Sequence, residues 1–221
     1  MRCLSYMPSS LQCGSRIAQR SPTIFKESAM SHFIVHSLDT APPDSRALLE
    51  RSKKEWGFIP TLHGILAESA PVLHAYQSLF ALGQKSGFTP AEQQVVYLTV
   101  SAFHECEYCV AGHTYLARAA KLDEQAIASL RNGTPIADAK LDALRIFTDT
   151  VVRERGLAGS DALEEFFAAG YGHAQMLEVV MIIATKTISN YVNHLVHTPK
   201  ESFMSDPTLG WVAPRNRGQV A

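Results

Sequence analysis

Residues 89–113 read TPAEQQVVYLTVSAFHECEYCVAGH, and their punctuation decides the fold. Thr89-Pro90-Ala91-Glu92 is a helix start: threonine caps, proline takes the first turn, and Glu92 completes a capping box. The apolar run Val95 to Phe103 follows, and a break is predicted at His104-Glu105. A new helix then carries Cys106 in its first turn and runs to about Ala120. On a helix, positions i, i+3 and i+4 share a face, so Cys106, Cys109 and His113 form one stripe. That stripe joins a pair able to close a disulfide to an imidazole able to take a thiol proton.

Outward from this stretch nearly everything reads helical. Asp44 to Trp56 is stopped by Gly57, Pro60 opens a short helix through Ala67, and Pro71 opens one that ends near Gly83 to Gly87. Asp123 caps a helix to Leu130, Asp138 to Arg155 is amphipathic, and Ser160 caps a helix to Ala169. Ala174 to Val196 is the longest and most apolar segment and is expected to be central. No stretch alternates with period two, so the predicted class is all-α: one domain over residues 30–200 with a tail at 201–221. The prolines Pro199, Pro207 and Pro214 make that tail extended, either loose or packed by Phe203 or Trp211.

The chain has 221 residues, 46% apolar and 19% charged, with 20 basic against 21 acidic side chains. That composition suits an ordinary soluble domain and lacks the basic footprint of a nucleic-acid binder. The longest apolar run, Val179 to Ala184, is far short of a membrane span. Residues 1–29 hold Arg2, Arg16, Arg20, Lys26 and many serines against one acid, Glu27. The bias is that of a transit peptide, but a flexible extension ahead of Met30 is the preferred reading. Four cysteines, Cys3, Cys13, Cys106 and Cys109, are too few and too uneven for a disulfide scaffold. A reducing compartment, the cytoplasm, is expected, where a CxxC is redox-active or metal-binding rather than a staple.

Three readings of the cysteine pair compete. Redox chemistry needs a thiolate, favoured at a helix N-terminus or beside histidine. Structural zinc needs four ligands; His104 or His194 could add to the pair, but there is no second CxxC, so no metal is expected. Two inert buried cysteines with a satisfied histidine form the third. The aligned His113 favours redox chemistry.

Residues 89–101 followed by Cys106-Glu-Tyr-Cys-Val-Ala-Gly-His113 resemble the core of the AhpD-like / carboxymuconolactone decarboxylase superfamily, in the branch of peroxidase-related alkylhydroperoxidases. The resemblance runs from Phe58-Ile59-Pro60 to the segment Asn190–His194. It implies an all-helical bundle assembled as a trimer or hexamer, with Cys106 and Cys109 as the redox pair and His113 as relay histidine. No cofactor is expected. Lactone decarboxylases of this superfamily lack the cysteine pair, which argues against that reaction. Family members usually carry a glutamate twelve residues before the first cysteine; here Gln94 stands there. Glutamine exchanges no proton but can orient a water or His113. Glu105 and Glu107 could replace the relay acid, though solvated positions suit them better.

The activity expected is a thiol-dependent alkyl hydroperoxidase or disulfide reductase, taking a hydroperoxide and recycled by a lipoyl-type or thioredoxin-like dithiol. His113 lies one turn from Cys109 and favours it as peroxidatic, leaving Cys106 as the more exposed resolving thiol. The helix dipole favours the opposite order. Tyr108 is a candidate for the substrate mouth. His194, on one helix face with Asn190, is a candidate pocket residue or a satisfied interface histidine. Lys186 in an apolar helix needs a partner, and an interface would supply it. Two other classes stay open: a lyase or isomerase using His113 or His194, and a non-enzymatic oligomeric redox or metal sensor.

Overall fold

The structure, a computed structural model, describes residues 33–218; the expectations for residues 1–29, with Cys3 and Cys13, lie outside them. The described residues form nine α-helices and no strand. The helices are α1 (Pro43–Trp56), α2 (Thr61–Leu66), α3 (Ala70–Gly83), α4 (Pro90–Phe103), α5 (Glu107–Ala119), α6 (Glu124–Asn132), α7 (Ala139–Arg153), α8 (Ser160–Ala168) and α9 (His173–Val196). Two 3-10 turns follow, Ser202–Ser205 and Pro214–Asn216.

The predicted capping box starts α4. Glu92 N donates to Thr89 Oγ1 at 3.2 Å, and Thr89 N donates to the Glu92 carboxylate at 2.8 Å. The same carboxylate accepts from Tyr171 Oη at 3.1 Å and pairs with Lys140 Nζ at 2.9 Å. Glu92 therefore ties α4 to α7 and to the α8–α9 connection. Burial acts to raise its carboxyl pKa, but the bonds from Lys140, Thr89 and Tyr171 win and hold it low. Replacing Glu92 by alanine is expected to cost about 2 kcal/mol, read as a lower urea midpoint. The part due to ionisation is present above the ordinary carboxylate range and is lost as pH falls through the lowered value, so the two proteins converge on acidification. An unchanged midpoint at neutral pH would contradict this role.

From Glu92 to Ser101 every residue of α4 is buried, and the helix packs on α5, α6, α7 and α9. Thr99 and Ser101 return their hydroxyls to the carbonyls of Val95 and Tyr97. Around α4 the core gathers Val95, Leu98, Ile127, Leu130, Leu144, Phe147, Val179 and Ile182. Phe166 stacks on Phe147 at 4.3 Å and on Tyr171 at 4.8 Å. A second cluster, Leu49, Leu62, Leu66, Leu73 and Tyr76, joins α1, α2 and α3.

α4, not α9, is the central helix. The 24-residue α9 packs one face on α3 and α4 and turns Leu177, Val180, Tyr191 and Leu195 to the surface. Its apolar composition led to the wrong expectation, because an apolar stripe marks a face to be covered without saying what covers it. Neither α9 nor any other single helix among the described residues is long and apolar enough to cross a membrane. The tail is packed: Met204, Leu209, Trp211 and Ala213 are buried, and Trp211 Nε1 donates to Arg131 O at 2.9 Å.

Candidate functional site

The predicted break between α4 and α5 is a single residue in left-handed backbone, Glu105 at φ 55°. A non-glycine residue there is costly and is held by its surroundings. Arg215 donates to the Glu105 carbonyl at 3.1 Å and pairs with its carboxylate at 3.4 Å. Cys106 N then donates to Ser101 O at 3.0 Å, which fixes Cys106 at the N-cap of α5. Cys109 follows in the first turn of the same helix, so the positive helix end serves both thiols and does not single out Cys106.

Both cysteines are free and buried, Cys106 at 1% and Cys109 at 4% exposure. The expectation that Cys106 is the more exposed thiol is thereby corrected. Its side chain is covered by the N-cap packing and by α9. Asn193 Nδ2, from α9, donates to Cys109 Sγ at 3.1 Å and to Cys106 Sγ at 3.6 Å. Ser189 Oγ lies 3.9 Å from Cys109 Sγ.

His113, one turn beyond Cys109, bonds to other groups. Its Nε2 lies 3.0 Å from Lys186 Nζ and its Nδ1 3.0 Å from Gln94 Oε1. Lysine can only donate, so Nε2 accepts, and Nδ1–H donates to the Gln94 carbonyl. Gln94 thus fixes the imidazole tautomer, as the family offset suggested it could. Tyr97 stacks on the ring at 4.6 Å and 7°. Gly83 admits that tyrosine, since a Cβ there would lie 2.6 Å from the Tyr97 hydroxyl.

Lys186 is 1% exposed, an expensive place for a cation unless anions or acceptors surround it. The sequence put it at an interface; the structure puts it in this cluster. Glu178, two turns earlier, instead accepts from Gly87 N at 2.9 Å. Burial and the Lys186 charge both push the His113 pKa well below its ordinary value, so the ring is neutral. For Cys109, burial acts upward, but the Cys106 hydrogen bond, the Lys186 charge and the Asn193 amide outweigh it and lower the thiol pKa. Cys106 moves up, first through its hydrogen bond to Cys109 and then through burial. One thiolate, on Cys109, is what this arrangement can hold.

The remaining candidates border the pair. Glu107 accepts from Ala213 N and Asn216 Nδ2, each at 3.1 Å, and lies 3.7 Å from Lys200. Both flanking glutamates therefore pin the tail rather than standing free in solvent. Tyr108 Oη donates to Glu201 Oε1 at 2.7 Å. His194 lies 3.3 Å from an Arg215 guanidinium nitrogen and borders the cavity that reaches Cys106. Asn190 is fully buried beneath that face. Burial and then the Arg215 charge lower the His194 pKa. No group of three metal-ligating side chains occurs among the described residues.

The model of the carboxymuconolactone decarboxylase family matches residues 71–149, the stretch from α3 to α7 that carries Gln94, both cysteines and His113. Over that stretch the chain is similar to this family. Solved structures share the AhpD-like fold. The AhpD core of a peroxidase-related protein from Ralstonia eutropha JMP134 is 18% identical with a TM-score of 0.68, over 78% of this chain and 93% of that one. A peroxidase-related protein from Silicibacter sp. TM1040 is 15% identical with a TM-score of 0.67, over 82% and 98%. The debrominase Bmp8, as a cysteine-to-alanine variant bound to 2,3,4-tribromopyrrole, is 14% identical with a TM-score of 0.67, over 82% and 97%. No curated protein matches the chain.

Two residues of this site, Lys186 and Asn193, were not recognised as site residues from sequence. The one available signal was a lysine inside an apolar helix, which marks a buried charge but not its partner.

Proposed function

We propose that this AhpD-like chain is a dithiol peroxidase in which Cys109 is the attacking thiolate. The observation that carries the reading is the buried cluster of Cys109 with Asn193 at 3.1 Å and the Lys186 charge. The thiolate attacks one peroxide oxygen, the O–O bond breaks, and the alkoxide leaves and takes a proton. Cys109 becomes a sulfenic acid. The Cys106 sulfur then attacks it, water leaves, and a Cys106–Cys109 disulfide forms. An external dithiol supplies two electrons and restores the pair. Lys186 holds the charge of the thiolate and stands one hydrogen bond from His113, so it is the nearest proton donor for the departing alkoxide. His113, neutral and fixed by Gln94, accepts a hydrogen bond from Lys186 and holds the ammonium in place.

The test is to reduce the protein, add cumene hydroperoxide and follow the thiols by peptide mass spectrometry. A Cys106–Cys109 disulfide formed far faster than free cysteine oxidises is expected. Thiols that stay reduced would refute the peroxidase reading.

A second reading uses the same pair for reductive removal of halogen from an aromatic ring. It is favoured by the aromatic side chains around Cys109, among them Tyr76, Phe80 and Tyr115, and by the likeness to a debrominase. Both reactions leave the disulfide, but only this one releases halide from a bromopyrrole.

A further inference from the structure

Two cavities reach the cysteine pair, one to each thiol, and the one at Cys109 is the more apolar. A cavity of about 700 Å³ has Cys109, His113 and Lys186 in its wall. Trp56, Phe58, Tyr76, Phe80, Tyr115 and Phe203 supply aromatic faces around them. A second cavity, about 480 Å³, reaches Cys106 instead. Its wall is polar: Glu105, Glu107, His194, Lys200 and Arg215. Tyr108 borders both cavities. Its hydroxyl is tied to Glu201, which also accepts from Thr61 N at 2.6 Å, so the partition is fastened to both α2 and the tail.

Volumes of about 300–1,000 Å³ with mostly apolar walls and a few polar groups are typical of small-molecule sites. We infer that the two half-reactions use separate openings: an apolar, aromatic electrophile binds in the ring-lined cavity at Cys109, and the polar thiol reductant enters from the other side at Cys106. The inference rests on the proposed dithiol chemistry and adds the substrate class and the route of each reactant.

The chemistry of reduction fits this geometry. A reductant thiolate attacks Cys106 Sγ of the disulfide, the S–S bond breaks, and Cys109 leaves with the electron pair. Its sulfur departs toward the Asn193 amide that already donates to it. The second reductant thiol, losing its proton to solvent, then attacks the mixed disulfide, and Cys106 leaves and is protonated. An acidic thiol leaves faster, so attack at Cys106 is the favoured direction. The aromatic product need not depart before the reductant arrives.

The two half-reactions are measured separately in two variants. Gly112 lies in the aromatic wall, and a Cβ there meets only the flexible Met204 Cε at 3.4 Å. Gly112→Leu fills that cavity; Lys200→Trp narrows the polar one. Oxidation is driven by cumene hydroperoxide, and reduction by dithiothreitol starts from protein oxidised with diamide. Gly112→Leu is expected to lose about tenfold in oxidation relative to its own reduction, and Lys200→Trp the reverse. Parallel loss of both half-reactions in either variant, or of neither in both, would overturn separate openings. Leu116→Trp, in the same aromatic wall, replaces Gly112→Leu should that variant unfold. If no peroxide oxidises the wild-type protein, the peroxidase reading fails on its own. Labelling of Cys109 by N-phenylmaleimide then serves as the first arm, with the same differential loss expected.

Discussion

Replacing Lys186 by methionine is expected to slow alkylation of Cys109 by iodoacetamide about tenfold to thirtyfold near pH 6.5, through loss of up to about three pKa units of thiolate stabilisation. The wild-type thiol is held low against its own burial by the Cys106 hydrogen bond and the Lys186 charge together. Without the ammonium, burial remains and the thiol is neutral near pH 6.5. The profile of alkylation rate against pH therefore moves upward, and that movement separates a charge effect from general damage. Methionine preserves volume but leaves the buried His113 Nε2 without its donor, so the variant is also expected to lose stability, read as a lower urea midpoint. The lowered Cys109 pKa stabilises the fold above the ordinary thiol pKa, and that contribution is lost as pH falls through the lowered value. The variant is consequently closest to wild type in stability at acid pH. His113→Ala, which removes a group bonded to Lys186 rather than to either sulfur, is expected to shift the profile less. A larger shift from His113→Ala than from Lys186→Met would return the thiol-activating role to the histidine.

The cysteine variants should behave asymmetrically. With hydroperoxide, Cys106→Ser is expected to accumulate one equivalent of dimedone-trapped sulfenate on Cys109, because the resolving sulfur is absent. Cys109→Ser is expected to drop peroxide consumption to the level of an ordinary thiol, about thirtyfold near pH 7 where the thiolate fraction of the active sulfur is what differs. The reason is positional. Asn193 is nearer Cys109, at 3.1 Å against 3.6 Å, and only Cys109 has its pKa lowered. Sulfenate trapped on Cys106 in the Cys109→Ser protein, and none on Cys109 in its counterpart, would reverse the order.

The architecture was readable where local chemistry controls it. Thr89 and Glu92 are three residues apart, and the capping box they form is in place. The break at His104-Glu105 and the helix carrying the cysteines likewise follow from neighbours in the chain. Legibility ended where tertiary contacts decide. Spacing put His113 on the cysteine face, yet spacing does not say which way its two nitrogens are engaged. They meet Gln94, nineteen residues away, and Lys186, seventy-three away. Asn193 looks on paper like any helical asparagine. Glu105 and Glu107 looked solvated because their partners, Arg215 and Asn216, lie more than a hundred residues on, in a tail whose prolines gave no hint of docking.

Two of the groups that lower the Cys109 pKa, the Lys186 charge and the Asn193 amide, come from α9, and Asn193 is separated from that cysteine by 84 residues. A chain in which α9 has come away leaves Cys109 without the Lys186 charge and the Asn193 amide, and its thiol moves back toward an ordinary one. The pH at which Cys109 begins to take up a label is therefore a readout of whether the last long helix is docked.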